Sequence, residues 1–167
     1  SKGFQFENAE GSFELLLARS APGYVPAFKL LDAMVVSERR VSGRRGVQAI
    51  VKLEVGGEVV HTASDGDGPV HALDAALRKS LRPAIPEIDS VHLTDYKVRI
   101  LDPDNATAAI TRVLIEASAG EARWTTVGCS ENIIEASLDA LCDSLEYFIR
   151  KILKPANISE TDVPQAG

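Results

Sequence analysis

The chain has 167 residues, of which 45% are apolar and 25% charged, and it carries a formal net charge of −6. This length and apolar content are sufficient for a hydrophobic core, while the acidic balance excludes the basic field that attracts nucleic acid. No segment has the roughly 18–20 consecutive apolar residues of a membrane helix, and charges interrupt the first ten positions too early for a signal peptide. Two cysteines are too few for a disulfide framework, so we expect a reduced, cytoplasmic protein.

The N-terminal segment predicts a short helix over residues 7–19, with Phe13, Leu16 and Leu17 along one apolar stripe. This helix has little else close in sequence to pack on. We therefore interpret residues 1–25 as a linker helix that belongs to a larger region upstream.

The next segment predicts three strands followed by one helix. We predict strands at residues 28–39, 47–55 and 59–64, the second with alternating apolar side chains on one face. Gly56 and Gly57 predict a hairpin turn between the second and third strands, because glycine adopts positive φ at little cost. Pro69 suits the first turn of a helix, where its missing N–H is no loss, and this helix is expected to run to Arg82.

The second half predicts the same order of elements. Strands are expected at residues 91–101, 107–117 and 121–127. Ser130 is a suitable N-cap for the helix that follows, which is expected to run to about Lys154. One face of this helix is apolar throughout, with Ile134, Leu138, Leu141, Leu145, Phe148 and Ile152. Residues 156–167 show no periodicity, and we expect them to be disordered.

The two halves are also related in sequence. Residues 72–81 and 136–145 share alanine, leucine and serine positions in register, about 64 residues apart. Such repetition indicates a duplicated unit, so we predict an α+β fold of two pseudo-symmetric βββα units. Each unit, 26–87 and 88–155, is a three-stranded antiparallel sheet with one helix on one face. Because the other face of each sheet needs a partner, we expect the chain to form a homodimer.

Few residues offer catalytic chemistry. His61 lies on a predicted strand between Val60 and Thr62, which indicates a packing or surface residue, and His92 has no cysteine or carboxylate at metal-ligand spacing. Cys129 lies near the start of the second unit's helix, where the helix dipole would lower the pKa of its thiol, but its spacing pairs it with no base. We therefore predict no catalytic residue, no metal site and no cofactor. His71 follows the glycine turn at residues 65–69, whose backbone N–H groups could hold a carboxylate, and is a candidate for contact with a ligand.

Several motifs resemble the C-terminal regulatory domain of α-isopropylmalate synthases and citramalate synthases. The resemblance extends from about Phe28 to Leu153 and is carried by residues 66–70, 72–78, 93–99, 111–116, 124–128 and 130–137. The Ser-Glu-Asn-Ile-Ile-Glu-Ala-Ser motif at 130–137 and the opening residues 3–7 and 12–16 are typical of the citramalate synthase branch. In this family the parent enzyme condenses acetyl-CoA with a 2-oxo acid on a TIM barrel. This chain has no such barrel, and the resemblance implies that it lacks synthase activity.

The resemblance further implies a regulatory domain that dimerises and binds the end product of the pathway near the dimer interface. That product is isoleucine in the citramalate synthase branch and leucine in the isopropylmalate synthase branch. The implied effector-site positions are Gly68, Pro69, Val70, His71, Leu93, Tyr96, Ile100, Glu131, Asn132 and Ile133.

Physical chemistry gives these positions compatible roles. Helix N-terminal N–H groups would bind the carboxylate of an amino acid, while the apolar side chains would line a pocket for its branched side chain. A His71 close to the ligand ammonium would have to be neutral or turned away. A leucine-binding domain of an isopropylmalate synthase and a dimerisation module without a ligand remain open as alternatives.

Overall fold

The computed structural model of the chain describes residues 10–39, 41–43, 45–101, 104 and 109–153. Its elements, in chain order, are α1 (Glu10–Ser20), β1 (Phe28–Arg39), β2 (Arg45–Val55), β3 (Glu58–Gly66), α2 (Pro69–Leu81), β4 (His92–Leu101), β5 (Ile110–Ala119), β6 (Ala122–Ser130) and α3 (Ile133–Tyr147). A 3₁₀ turn at Pro86–Ser90 precedes β4, and α3 continues as a π-helical turn at Phe148–Leu153. The predicted tail at 156–167 and the predicted helix start at 7–9 lie outside the described residues.

Two antiparallel three-stranded sheets, ordered β1-β2-β3 and β4-β5-β6, confirm the predicted pair of βββα units. The hairpin between β2 and β3 also forms as predicted, with φ of 60° at Gly56 and 79° at Gly57. Helix α2 packs on β2 and β3, helix α3 packs on β5 and β6, and the two helices contact each other. The two units therefore share one continuous core.

The core is largely aliphatic, and its largest fully buried side chains include Leu53, Leu73, Leu77, Ile115, Leu141 and Leu145. The one tryptophan, Trp124, is buried beside Tyr147 and Phe148, with ring centroids 5.7 and 6.0 Å away. Its indole N–H donates to the carbonyl and hydroxyl oxygens of Ser144, which satisfies the polar edge of a buried ring. No helix in the described part of the chain is long and apolar enough to cross a membrane.

Each helix approaches its sheet closely at a glycine. A Cβ placed on Gly66 of β3 would lie 2.4 Å from the backbone nitrogen of Ala72 in α2. A Cβ placed on Gly128 of β6 would lie 2.0 Å from the carbonyl oxygen of Ala136 in α3. These two contacts between backbone and backbone determine how deeply the helices lie on their sheets.

Helix α1 covers the edge of the second sheet, and it does so with a face other than the predicted one. The predicted stripe is exposed: Phe13, Leu16 and Leu17. The buried residues of α1 are Gly11, Ser12 and Leu15. The Ser12 hydroxyl accepts from the Val127 N–H at 2.8 Å and donates to the Val127 carbonyl at 3.4 Å. It thereby satisfies backbone groups of edge strand β6 that would otherwise be unpaired.

Candidate functional site

A β-bulge at the start of β4 brings the apolar candidates onto one face of the second sheet. Leu93 lies opposite Ala117 and Tyr96 opposite Ile115, with a register shift between the two pairs. Residues three apart in a regular strand point to opposite faces, so without the bulge Leu93 and Tyr96 would be separated. With it, Leu93, Tyr96 and Ile100 share the side that faces α3.

Helix α3 covers only part of that side. Tyr96 is 38% exposed, Val98 41% and Ile100 58%, and Ile133 at the start of α3 is 44% exposed. We call these four residues the β4 face. An exposed group of apolar side chains of this kind is typical of an interaction or ligand surface.

Tyr96 is connected to α3 by a hydrogen bond. Its hydroxyl lies 3.0 Å from the hydroxyl of Ser137, which is fully buried. The Ser137 hydroxyl also donates to the Ile133 carbonyl at 2.7 Å. The sequence analysis missed Ser137, although its position four residues after Ile133 places both on one helix face.

The start of α3 differs from the prediction that Ser130 caps it. Strand β6 continues through Ser130, and Asn132 is the N-cap, with its side-chain oxygen accepting from the N–H groups of Ile134 at 2.8 Å and Glu135 at 3.4 Å. The Ser130 hydroxyl donates to the Glu135 carboxylate instead. Two N–H groups expected to bind a ligand carboxylate are therefore occupied, and Glu131 beside them is exposed.

The start of α2 remains open to an anion. The N-cap is Gly68, which has no side chain to cap the helix, and Pro69 follows it at the first helical position. The first-turn N–H groups of Val70 and His71 therefore lie at the positive end of the helix dipole without a side-chain cap, and the exposed carboxylate of Asp67 lies beside them. The His71 side chain is largely exposed, and its Nδ1 accepts from the Asp67 N–H at 3.1 Å. The Asp67 carboxylate lies 3.6 Å from the same nitrogen.

The predicted site residues thus form two groups. One group lies at the start of α2 in the first unit, and the other lies on β4 and at the start of α3 in the second unit. Within the described residues, no hydrogen bond or ion pair joins the two groups. Completing a single site from both would require a ligand or a second protomer.

A cleft that the sequence analysis did not predict lies between α1, β1, β6 and α3. Its volume is about 720 Å³. Its lining comprises Ser12, Leu16, Arg19, Pro26, Phe28, Leu30, Val127, Gly128, Cys129, Asp139, Cys142, Asp143 and Glu146. Arg19 of α1 donates to Asp143 of α3 at 2.7 Å across it. Burial raises the pKa of Asp143, and the contact with Arg19 opposes that rise.

Both cysteines line this cleft, and neither has the environment of a reactive thiol. Burial raises the pKa of the Cys142 thiol to about 12, and the neighbouring Asp143 and Asp139 add to the rise. Burial also raises the pKa of Cys129. The expected lowering of the Cys129 pKa is wrong because this residue lies on strand β6, before the helix begins.

Replacing Asp139 with asparagine is expected to stabilise the chain by about 0.5 kcal/mol at pH 7. Burial first, and then the charges of Asp143 and Glu135, raise the pKa of Asp139 above its ordinary value of 3.8. Each like-charged neighbour lies four residues away on α3, where such pairs cost roughly 0.2–0.5 kcal/mol. The folded chain thus holds this proton more tightly than the unfolded chain, so the penalty is present at pH 7 and disappears as the pH falls below the ordinary value.

Urea unfolding at pH 7 and near pH 3.5 measures this effect, with Asp104→Asn at an exposed turn as the matched control. A gain at pH 7 that shrinks at the lower pH is the expected result. An equal gain at both pH values, or the same gain in the control, would contradict the explanation.

Comparisons with known proteins agree on one family. A family model described as the LeuA allosteric (dimerisation) domain matches residues 7–149. An (R)-citramalate synthase of Geobacter sulfurreducens is 46% identical over 152 residues, which are 90% of this chain and 29% of that protein. An (R)-citramalate synthase of Synechocystis sp. is 46% identical over 153 residues, or 89% of this chain and 28% of that protein.

A more distant match is a 2-isopropylmalate synthase of Shewanella woodyi, 34% identical over 128 residues, which are 77% of this chain and 23% of that protein. The chain therefore spans less than a third of the length of these relatives.

Proposed function

Because the chain belongs to the LeuA allosteric (dimerisation) domain family, we propose that it is the feedback-regulatory domain of a citramalate synthase-like enzyme and binds isoleucine near an interface between two copies. The observation that carries this proposal is the β4 face, an apolar surface that α3 leaves half open. Such a surface suits a branched aliphatic side chain and also a second protomer. A ligand and a partner protomer together would remove its apolar side chains from water.

The parent protein under this proposal is a transferase of amino-acid biosynthesis that joins acetyl-CoA to pyruvate in the cytoplasm. Its catalytic TIM barrel would lie in the two thirds of the relatives' length that this chain does not span. The citramalate synthase branch is favoured because two relatives with that name are 46% identical, against 34% for a 2-isopropylmalate synthase. Acetyl-CoA condensation measured on this chain alone is expected to be zero.

The two groups of site residues suit different ends of an amino acid. The uncapped N–H groups of Val70 and His71 are donors for the carboxylate, and the helix dipole adds to the attraction. Tyr96 and Ile100 of the β4 face supply apolar contact for the side chain. Isoleucine and leucine differ only in the position of one methyl group, which is worth about 1–3 kcal/mol in an apolar pocket.

Calorimetric titration with L-isoleucine and then L-leucine tests the proposal, together with light scattering at micromolar protein concentration. Tighter binding of isoleucine and a dimeric mass are the expected results. Tighter binding of leucine would favour the regulatory domain of a 2-isopropylmalate synthase instead. Heat from neither ligand, with a dimeric mass, would favour a dimerisation module without a ligand.

Replacing Tyr96 or Leu93 with alanine is expected to weaken isoleucine binding about tenfold, because each change removes roughly 1.4 kcal/mol or more of apolar contact with the ligand. Val59→Ala is the matched control, since Val59 is an exposed apolar strand residue of the first sheet, 56% accessible. Calorimetry measures the affinities, and circular dichroism checks that the variants remain folded. Unchanged affinity in both site variants would exclude this site assignment.

A further inference from the structure

The hydrogen bond between Tyr96 and Ser137 has a defined direction. A serine hydroxyl has one proton and a carbonyl oxygen can only accept. The Ser137 proton is used on the Ile133 carbonyl, 2.7 Å away. We therefore assign the Tyr96 hydroxyl, 3.0 Å from the Ser137 oxygen, as the donor between the two side chains, since only this direction makes both hydrogen bonds at once.

This direction determines what Tyr96 presents to a ligand. Its single proton points at Ser137, which is fully buried on α3. The remaining lone pairs of the Tyr96 oxygen are acceptors, and the residue is 38% exposed on the β4 face. A ligand group that meets this oxygen must therefore donate a proton.

The surroundings at this end of α3 suit a cation better than an anion. Asn132 already accepts from two N–H groups of the first turn, which removes most of the helix terminus as an anion site. Glu131 and Glu135 add negative charge to the same turn. At the start of α2, Gly68 leaves the N–H groups without a side-chain cap, while Asp65 and Asp67 directly precede them.

We propose that Ser137 is a positioning residue of the effector site: it holds the Tyr96 hydroxyl as a fixed acceptor that selects ligands with a protonated primary amine. The proposal rests on the proposed function, and it names the ligand group that Tyr96 recognises. In this arrangement the ammonium of an α-amino acid binds at Tyr96.

A double-mutant cycle with Tyr96→Phe, Ser137→Ala and the double variant tests the proposal, using two ligands that differ only in the amine. These ligands are L-isoleucine and 3-methylpentanoate, which has the same carbon skeleton and carboxylate. For isoleucine we expect each single variant to lose about five- to tenfold in affinity, and the double variant to lose no more than Tyr96→Phe alone. For 3-methylpentanoate we expect changes below twofold. If this ligand does not bind the wild-type chain, the coupling measured with isoleucine alone decides the role of Ser137.

Thermal unfolding of the same four proteins without ligand measures the hydrogen bond independently, and we expect the two substitutions to be coupled there as well. Independent, multiplicative losses of isoleucine affinity would overturn the role of Ser137, and so would equal losses for both ligands. Absence of coupling in unfolding would overturn the hydrogen bond itself. Failure of the wild-type chain to bind isoleucine or leucine would overturn the proposed function, and the inference with it, even if the unfolding data showed coupling.

Discussion

Replacing Gly128 with alanine is expected to destabilise the fold by about 3 kcal/mol, the upper range for an overpacked core. The new Cβ would lie 2.0 Å from the carbonyl oxygen of Ala136 and 2.9 Å from its carbon. Both are backbone atoms of α3, so no side-chain rotation relieves the clash and the helix must move away from β6. That movement would loosen the buried groups that α3 places on the sheet, among them Ser137, the next residue after Ala136.

Urea unfolding of Gly128→Ala and of the matched control Gly46→Ala measures this effect. Gly46 lies on β2, and a Cβ there would meet nothing within 4 Å. The control is expected to change the free energy of unfolding by less than about 0.5 kcal/mol. Gly66→Ala repeats the test in the first unit, where the Cβ would lie 2.4 Å from the Ala72 nitrogen. Similar midpoints for Gly128→Ala and Gly46→Ala would show that α3 does not depend on this close approach.

The elements that the sequence predicted well depend on local chemistry. Strand β1 has the predicted bounds because residues 28–36 are rich in apolar residues, although a bulge between Leu30 and Asp32 shifts its register. The β2–β3 hairpin forms at Gly56 and Gly57 because two adjacent residues there need positive φ. Because the halves are duplicated, the same elements could be predicted in the second half. There Gly120 lies in the hairpin between β5 and β6, and the alanine-rich helix recurs.

Local competition explains two of the wrong predictions. Ser130 and Asn132 are both good N-cap residues, and the pairing of Ser130 with Thr111 in the sheet decides between them by extending β6. The apolar stripe of α1 was a reasonable core face by periodicity. The small residues Gly11 and Ser12 lie on the buried face of α1 instead, because they allow the helix to approach the backbone of edge strand β6.

The candidate site depended on features that periodicity does not encode. The bulge that places Leu93 on the same face as Tyr96 changes the strand register by one residue, and nothing in the order of apolar residues requires it. The contact between Tyr96 and Ser137 joins residues 41 apart in sequence, and the contacts of α1 with α3 and β6 join residues more than 110 apart. These pairs arise where α3 packs on β4 within the second unit and where α1 packs on that unit. The sequence alone could therefore name candidate residues but not their partners.

Replacing Glu146 with alanine is expected to cost about 2–3 kcal/mol and to release the segment between α1 and β1. Glu146 is only 3% exposed. Its carboxylate accepts from the Tyr24 hydroxyl at 2.6 Å and from the Ala27 N–H at 3.0 Å, and the Arg150 guanidinium lies 3.8 Å away. Removing it leaves partly buried donors and a cation without their acceptor, which costs more than the bonds themselves contribute.

The same carboxylate joins the predicted linker to the helix that begins at the candidate site. Arg150 also donates to the Val25 carbonyl at 2.5 Å, and its guanidinium lies 4.3 Å from the Tyr24 ring centroid. Tyr24, Ala27 and the C-terminal part of α3 are therefore held as one body around Glu146. If binding at the start of α3 shifts this helix, the linker would move with it. Such a shift requires the effector to bind the two positions of the helix with different affinities.

Amide hydrogen exchange at Ala27, measured with thermal unfolding, separates a local anchor from a general loss of stability. In Glu146→Ala we expect amide exchange at Ala27 to accelerate relative to the wild type, more than exchange at the core amides of β2 and β5. Glu87→Ala, at an exposed position, should leave the exchange rates at both places unchanged. Glu146→Gln keeps an acceptor for one donor, so its exchange rate at Ala27 should lie between those of Glu146→Ala and Glu87→Ala. A uniform increase in exchange across the chain would mean that Glu146 supports the whole core, and the linker would then have no separate anchor through which to respond to a ligand.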